Sequence, residues 1–185
     1  MKRDVLVVML IIGCVCSAFS QNAGDFQYTQ DAGKITITEY HGSSKVVIIP
    51  ETINALPVVA IGENVFRDKE LTDITLPGSL VDIGSGAFRD NKLTSITFPN
   101  GLATLGADAF RNNQLTSIIF PNSLTAIERG TFAGNQLTEI TFPSSIAHIR
   151  RYAFRNNRLT NVVVPRSVSE LAEDAFDLDV AITRR

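Results

Sequence analysis

The sequence contains no tryptophan, only two histidines, and only two cysteines, Cys14 and Cys16, both close to the amino terminus. From residue 21 onward there is therefore no disulfide and no thiolate metal centre to build, and a fold there must hold by packing and hydrogen bonding. His41 and His148 lie far apart and neither stands at a zinc-binding spacing, which leaves no metal or cofactor candidate. An excess of positive charge is missing too: 17 Lys and Arg against 19 Asp and Glu give a formal net charge of −2, so nothing draws the chain to nucleic acid or an acidic membrane. Carboxylates are scattered rather than paired for glycoside chemistry, and Gly84-Ser85-Gly86 has no nucleotide-binding context. The sequence points to no catalytic site.

One long apolar run stands out, Val5 to Val15, with Lys2 and Arg3 before it and the small residues Ser17, Ala18 and Ser20 after it. It is shorter than the ~20 residues a membrane span needs and reads as an export signal over residues 1–20, with Gln21 as the first mature residue. Ile11-Ile12-Gly13-Cys14 supports a second reading, a lipoprotein signal ending at Gly13 with an acylated Cys14. Under either, the expected location is extracytoplasmic, secreted or at the cell surface, with an outer-membrane lipoprotein under the second. The only membrane contact expected is that lipid anchor.

The rest of the chain repeats. Leu71, Leu93, Leu115, Leu137 and Leu159 are each 22 residues apart, as are Pro77, Pro99, Pro121, Pro143 and Pro165, and the series Phe66, Phe88, Phe110, Phe132, Phe154 and Phe176. Fixed periods of this length mark solenoids. In the unit Leu93 to Gln114, Ile96 and Phe98 alternate with Ser95 and Thr97, the period of a half-buried strand. Pro99 ends it, because proline donates no ladder hydrogen bond. Leu102 and Leu105 point inward across a short extended or turn segment, and Asp108 to Asn113 reads as one helical turn that drops Phe110 into the core. Asn91, Asn113, Asn135 and Asn157 follow each phenylalanine by three residues, where a carboxamide can satisfy turn amides.

The expected fold is a leucine-rich-repeat solenoid, mainly β or α/β, of five 22-residue coils with parallel strands and short helical turns. Its boundaries are an N-terminal cap over residues 21–70, repeats over 71–180 and a tail over 181–185. The cap is expected to close with a β-hairpin of Lys34 to Thr38 and Lys45 to Pro50, turning through Glu39 to Ser44.

The unit Leu71 to Phe88, Leu-Thr-x-Ile-x-Leu-Pro-x-x-Leu-x-x-Ile-x-x-x-Ala-Phe, resembles the BspA-like, Treponema pallidum type of leucine-rich repeat. The cap's Thr38-Glu-Tyr-His-Gly42 followed by Val46-Val-Ile-Ile-Pro50 is similar to that family's opening. The resemblance implies an exported, surface-associated bacterial protein engaged in adhesion to host matrix proteins or to other cells. It departs from the family in having asparagine where a cysteine is usual, and one residue fewer per repeat.

Two surfaces are candidates for contact. The strand face carries Asp73 and Thr75, Ser95 and Thr97, Ser117 and Ile119, Glu139 and Thr141, and Asn161 and Val163, which vary while the core positions stay apolar. The extended face of stacked strands is the usual binding surface of a solenoid, and a protein ligand is expected there. Arg67, Arg89, Arg111 and Arg155 follow the column phenylalanines as a basic stripe, suited to an acidic glycan or simply to solvent. A passive envelope role and a glycan-binding or glycan-processing solenoid are the competing functions.

Overall fold

The computed structural model describes residues 23–185, and the stretch read from the sequence as an export signal, with Cys14, lies outside them. After a single-turn 3-10 helix at Ala23–Asp25 the chain forms β1 (Phe26–Asp31), β2 (Lys34–Tyr40), β3 (Val46–Ile48), β4 (Thr52–Ile53), β5 (Leu56–Ile61), β6 (Asp73–Thr75), β7 (Asp82–Ile83), β8 (Thr104–Leu105), β9 (Ala126–Ile127), β10 (His148–Ile149), β11 (Asn161–Val164), β12 (Glu170–Leu171) and β13 (Ala181–Arg184). These wind into a β-solenoid whose successive coils have three sides: a front that begins at the repeat leucine, a rear after the proline, and a turn that holds the phenylalanine.

The proline acts as the sequence implies, and it also starts a reverse turn. Leu80, Leu102, Leu124, Ile146 and Val168 donate their amides to the carbonyls of Pro77, Pro99, Pro121, Pro143 and Pro165 at 3.1 to 3.2 Å. Each of these five residues is buried. The rear segment that follows is parallel strand: β2–β5–β7–β8 forms one run, with a register shift between Ile35 and Thr36 of β2, and β9–β10–β12 a second, with Ile61, Ile83 and Leu105 on one file and Ile127, Ile149 and Leu171 on its continuation.

The break between β8 and β9 comes where a column of glycines ends. A Cβ on Gly84 would lie 2.7 Å from the carbonyl carbon of Gly62, and one on Gly106 would lie 2.6 Å from that of Gly84. These glycines serve close backbone approach, since neither has positive φ. Glu128 stands next in the column, and there no backbone hydrogen bond joins residues 103–106 to 125–128.

The expected helical turn is replaced by reverse turns. Arg89 donates to the Gly86 carbonyl at 3.0 Å and Arg111 to that of Asp108 at 3.1 Å, but the chain reverses before a second helical bond can form. Asn64, Gly86, Asp108, Gly130 and Tyr152 all sit at φ between +56 and +63, and Asp68, Asp90, Asn112, Gly134 and Asn156 form a second left-handed column at φ between +55 and +69. This backbone lets alternate amides point along the solenoid. Phe66, Phe88, Phe110, Phe132 and Phe154 donate to Ala87, Ala109, Thr131, Ala153 and Ala175 at 2.8 to 2.9 Å, an unbroken ladder. Its bonds run from each coil to the following one, whereas those at the rear, such as Gly84 to Ile61 and Gly106 to Ile83, run to the preceding one.

Inside, Phe66, Phe88, Phe110, Phe132, Phe154 and Phe176 stack at centroid distances of 5.0 to 5.7 Å and interplanar angles no larger than 17°. Phe98, Phe120 and Phe142 come in from the front and meet this file edge-on at 5.5 to 5.6 Å, a favoured ring geometry. Each column asparagine stitches two coils. Asn113 accepts from the Leu93 amide at 3.1 Å and donates to the carbonyls of Phe88 at 2.9 Å and Phe110 at 3.1 Å. Asn91, Asn135 and Asn157 repeat the pattern.

The N-terminal end is capped by a hairpin, but its strands are not the expected pair. β2 pairs antiparallel with β1 through a turn at Ala32-Gly33, while β3 pairs parallel with β6. Tyr40 explains the difference: its ring is buried against Phe66 at 5.1 Å and its hydroxyl lies where a Gly42 Cβ would be, so residues 39–44 pass under the core instead of folding back. Phe26 adds a further ring, 5.5 Å from Tyr40. Residues 45–70, read from the sequence as part of the cap, run in coil register, with an added β4–β5 hairpin that lengthens the step from Val46 to its partner Asp73 to 27 residues.

Truncating Phe110 to Ala is expected to cost about 3 to 5 kcal/mol, the usual loss for a buried ring; equilibrium unfolding that shows less than about 1 kcal/mol would contradict the stacked file. Gly106→Ala tests close approach in the rear sheet. Its Cβ would press on the backbone of Gly84 and Ser85, so a loss of about 1 to 3 kcal/mol is expected, against none if the sheet can simply part.

Candidate ligand-binding face

All ten strand-face residues predicted from the sequence are exposed: Asp73, Thr75, Ser95, Thr97, Ser117, Ile119, Glu139, Thr141, Asn161 and Val163. Their intervening neighbours Ile74, Ile118, Ile140 and Val162 are buried, which is the alternation of a one-sided sheet. The face also extends further than the sequence suggested. In-register pairing of β3 with β6 adds Val46 and Ile48, both exposed, beside Asp73 and Thr75, and pairing of β11 with β13 adds Ala181 and Thr183 beside Asn161 and Val163.

The front ladder is zipped at its two ends and open between them. β3 pairs with β6 and β11 with β13, but no backbone hydrogen bond joins residues 73–77 to 95–99, and 117–121 meet 139–143 only through the bridge between Ile119 and Thr141. The open stretch coincides with the coils that carry Phe98, Phe120 and Phe142 behind the front. Phe120 and Phe142 stack at 5.8 Å, about 1 Å beyond the ~4.8 Å at which parallel strands bond. Where the inward residues are aliphatic, as in β3, β6 and β11, the strands close.

Two clefts result. One, of about 330 Å³, lies between Asp73–Thr75 and Ser95–Thr97 with Gly78 and Pro99 at its end. The other, of about 460 Å³, lies between Ser117–Phe120 and Glu139–Phe142. Eight of the ten predicted residues line one cleft or the other; Asn161 and Val163 line neither. Ile119, 84% exposed, stands at the second cleft. The ten residues include two carboxylates and no base, so the face offers apolar surface, hydroxyls and negative charge.

The predicted basic stripe is a zipper of alternating charge. Arg67 pairs with Asp68 at 3.4 Å and Asp90 at 3.6 Å, Arg89 with Asp90 at 3.0 Å and Asp108 at 3.7 Å, and Arg111 with Asp108 at 3.2 Å. Ala133 interrupts the column, and Arg155 stands apart over the Tyr152 ring at 5.3 Å. The aspartates were visible in the sequence, each next to or three residues from an arginine. What the sequence did not give is the stacking that sets them between the arginines of adjacent coils.

Two charged groups are shifted by such neighbours. Lys92 and Lys45 hold the Glu70 carboxyl below its ordinary range, and the hydrogen bond to Asp174 raises the Arg151 guanidinium. His41 and His148 each lie beside one glutamate, Glu39 and Glu170, and no cluster that could hold a metal occurs among the described residues.

Residues 59–183 match the family model of the BspA type leucine rich repeat region in six copies. The chain belongs to that family. Among solved structures this BspA-type array is similar to a leucine-rich-repeat protein of Treponema pallidum, at 24% identity and a TM-score of 0.60 over 77% of this chain and 86% of that one. It is also similar to a leucine-rich cell surface protein of Faecalibacterium prausnitzii, at 24% identity and 0.67 over 91% of this chain and 55% of the other, and to the pneumococcal vaccine antigen PcpA, at 25% and 0.67 over 90% and 48%. The BspA-type array thus spans about half the length of the latter two. No curated protein matches it.

Proposed function

We propose that this BspA-type protein is an exported, non-catalytic binding protein of the bacterial surface or its surroundings, and that its front face mediates adhesion by holding a protein of the host matrix or of another cell. The observation that carries the reading is Ile119, a large apolar side chain at 84% exposure beside an open cleft, on a face otherwise built of hydroxyls and two carboxylates. Single exposed apolar residues are ordinary on protein surfaces. This one lines the second cleft, on a face whose backbone is already ordered, so a ligand need not offset further ordering entropy. The absence of bases among the ten face residues favours a partner presenting lysine or arginine around an apolar contact. The surface location of the F. prausnitzii protein and the antigen status of PcpA support the same reading, as does the general use of leucine-rich repeats in protein recognition.

Export rests on the amino-terminal sequence. The native protein, recovered from the producing cell, should begin at Gln21 or at an acylated Cys14 by mass spectrometry, and an intact Met1 in the cytoplasmic fraction would overturn the proposal.

For the face, immobilised matrix proteins and whole cells supply the ligands. Substituting Asp73, Ser95, Ser117 and Glu139 together should weaken the strongest interaction found by at least about tenfold, with a melting temperature within about 3 °C of the parent. Arg67, Arg89 and Arg111 changed together to Gln should alter it chiefly at low salt, where charges beyond ~10 Å still act. If the arginine variant alone lost binding at high salt, the contact surface would be the turn edge instead.

A further inference from the structure

One sizeable cavity is not on the front face. It opens at the rear of the last coils, has a volume of about 650 Å³, and is walled by Arg129, Arg150, Arg151 and Arg184 over Leu171 and Ala172. It sits just where the glycine column of the rear sheet ends: Gly62, Gly84 and Gly106 give way to Glu128 and Arg150, whose side chains project where the earlier coils are bare.

Its cations are not equally compensated. Arg150 binds Glu170 at 2.6 Å and Arg151 binds Asp174 at 2.9 Å. Arg129 reaches only Asp108, at 4.0 Å, and that carboxylate already holds Arg111 at 3.2 Å. Among the described residues Arg184 has no ion-pair partner, and its guanidinium donates to the Val168 carbonyl at 3.0 Å. A smaller cavity of about 260 Å³ shares Arg129 and adds Arg111, Arg155 and Tyr152. The Tyr152 ring is in cation–π contact with both Arg151, at 5.0 Å, and Arg155, at 5.3 Å, which holds both guanidinium groups against one ring. A cationic channel therefore runs from Arg184 past Arg129 to Arg155, in a chain whose net charge is −2.

We propose that this channel binds an acidic saccharide, a sugar chain carrying sulfate or carboxylate groups. Guanidinium groups pair with such anions through two parallel hydrogen bonds. The volume is that of a site for an organic ligand rather than for a lone inorganic anion. Glu128, Glu170 and Ser169 line the same cavity and accept hydrogen bonds, which sugar hydroxyls can donate and an acidic peptide side chain, itself an acceptor at neutral pH, cannot. Leu171 and Ala172 supply an apolar floor for a sugar face. The site is separate from the front face and stands or falls apart from it.

The test is calorimetric titration of the folded protein at physiological salt with a heparin-derived hexasaccharide, a neutral hexasaccharide of the same length, and inorganic sulfate matched in sulfate groups. The acidic hexasaccharide alone should bind. Arg129→Gln with Arg184→Gln removes no close ion pair and should weaken binding about tenfold or more, while Arg67→Gln with Arg89→Gln, an equal loss of charge, should change it by less than about twofold. Ser169→Trp keeps every arginine but fills the cavity, and should abolish binding. Equal weakening by the two arginine pairs would show charge attraction without a site and overturn the proposal. So would inorganic sulfate binding as well as the saccharide, undiminished binding by the Ser169→Trp variant, or no binding of the acidic hexasaccharide at all.

Discussion

A buried carboxamide joins each of the central coils to the one before it. Asn91, Asn113 and Asn135 are almost wholly removed from solvent, and a bare amide there would cost about 1 to 3 kcal/mol if left unmatched. It is matched on both sides. The two N–H bonds of the side chain reach phenylalanine carbonyls of two adjacent coils, and its oxygen takes the amide of the leucine that opens its own unit's front strand. Asparagine has the two donors and the acceptor that this junction requires. The phenylalanine file, the left-handed turns and the entry into each front strand all meet at that group, so it sets the coil length that the other columns obey.

The rings then decide which strands can bond. Aromatic faces stack at 5.0 to 5.8 Å along the solenoid, a spacing that exceeds the ~4.8 Å of a sheet. The turn ladder tolerates this, because its alternate amides reach out along the axis from left-handed backbone. The front strands do not, and they part where Phe98, Phe120 and Phe142 wedge behind them. Core composition thus shapes the surface: the open part of the front face lies where Phe98, Phe120 and Phe142 stand behind it, and these rings also line the two clefts.

Much of this was legible in the sequence. A 22-residue register leaves little freedom for the phenylalanine file or the asparagine column, and alternation around Ile96 and Phe98 identified the exposed face. The turns were misread as helical because Asp108-Ala-Phe-Arg-Asn has ordinary helix composition. The signal against it lay in Asp68, Asp90, Asn112, Gly134 and Asn156, residue types that tolerate left-handed backbone. The hairpin partner was missed because Gly42-Ser43 is a good turn sequence and only the burial of Tyr40 forbids its use as one. The rear cavity was not legible at all: Arg184 is distant in sequence from Arg129, and only the winding of the chain puts them on one wall.

The two directions of hydrogen bonding, forward at the phenylalanine turn and backward at the rear, have an electrostatic consequence. In an α-helix every peptide dipole points the same way, and the ends accumulate partial charge. Here the bonds that run forward at the phenylalanine turn oppose those that run backward at the rear, as at Gly84 and Gly106, so part of their axial components cancels. Added coils therefore build up less field at the ends than added helical turns would, and much of the polarity of the molecule is left to its side chains, acidic on the front and cationic at the rear of the last coils.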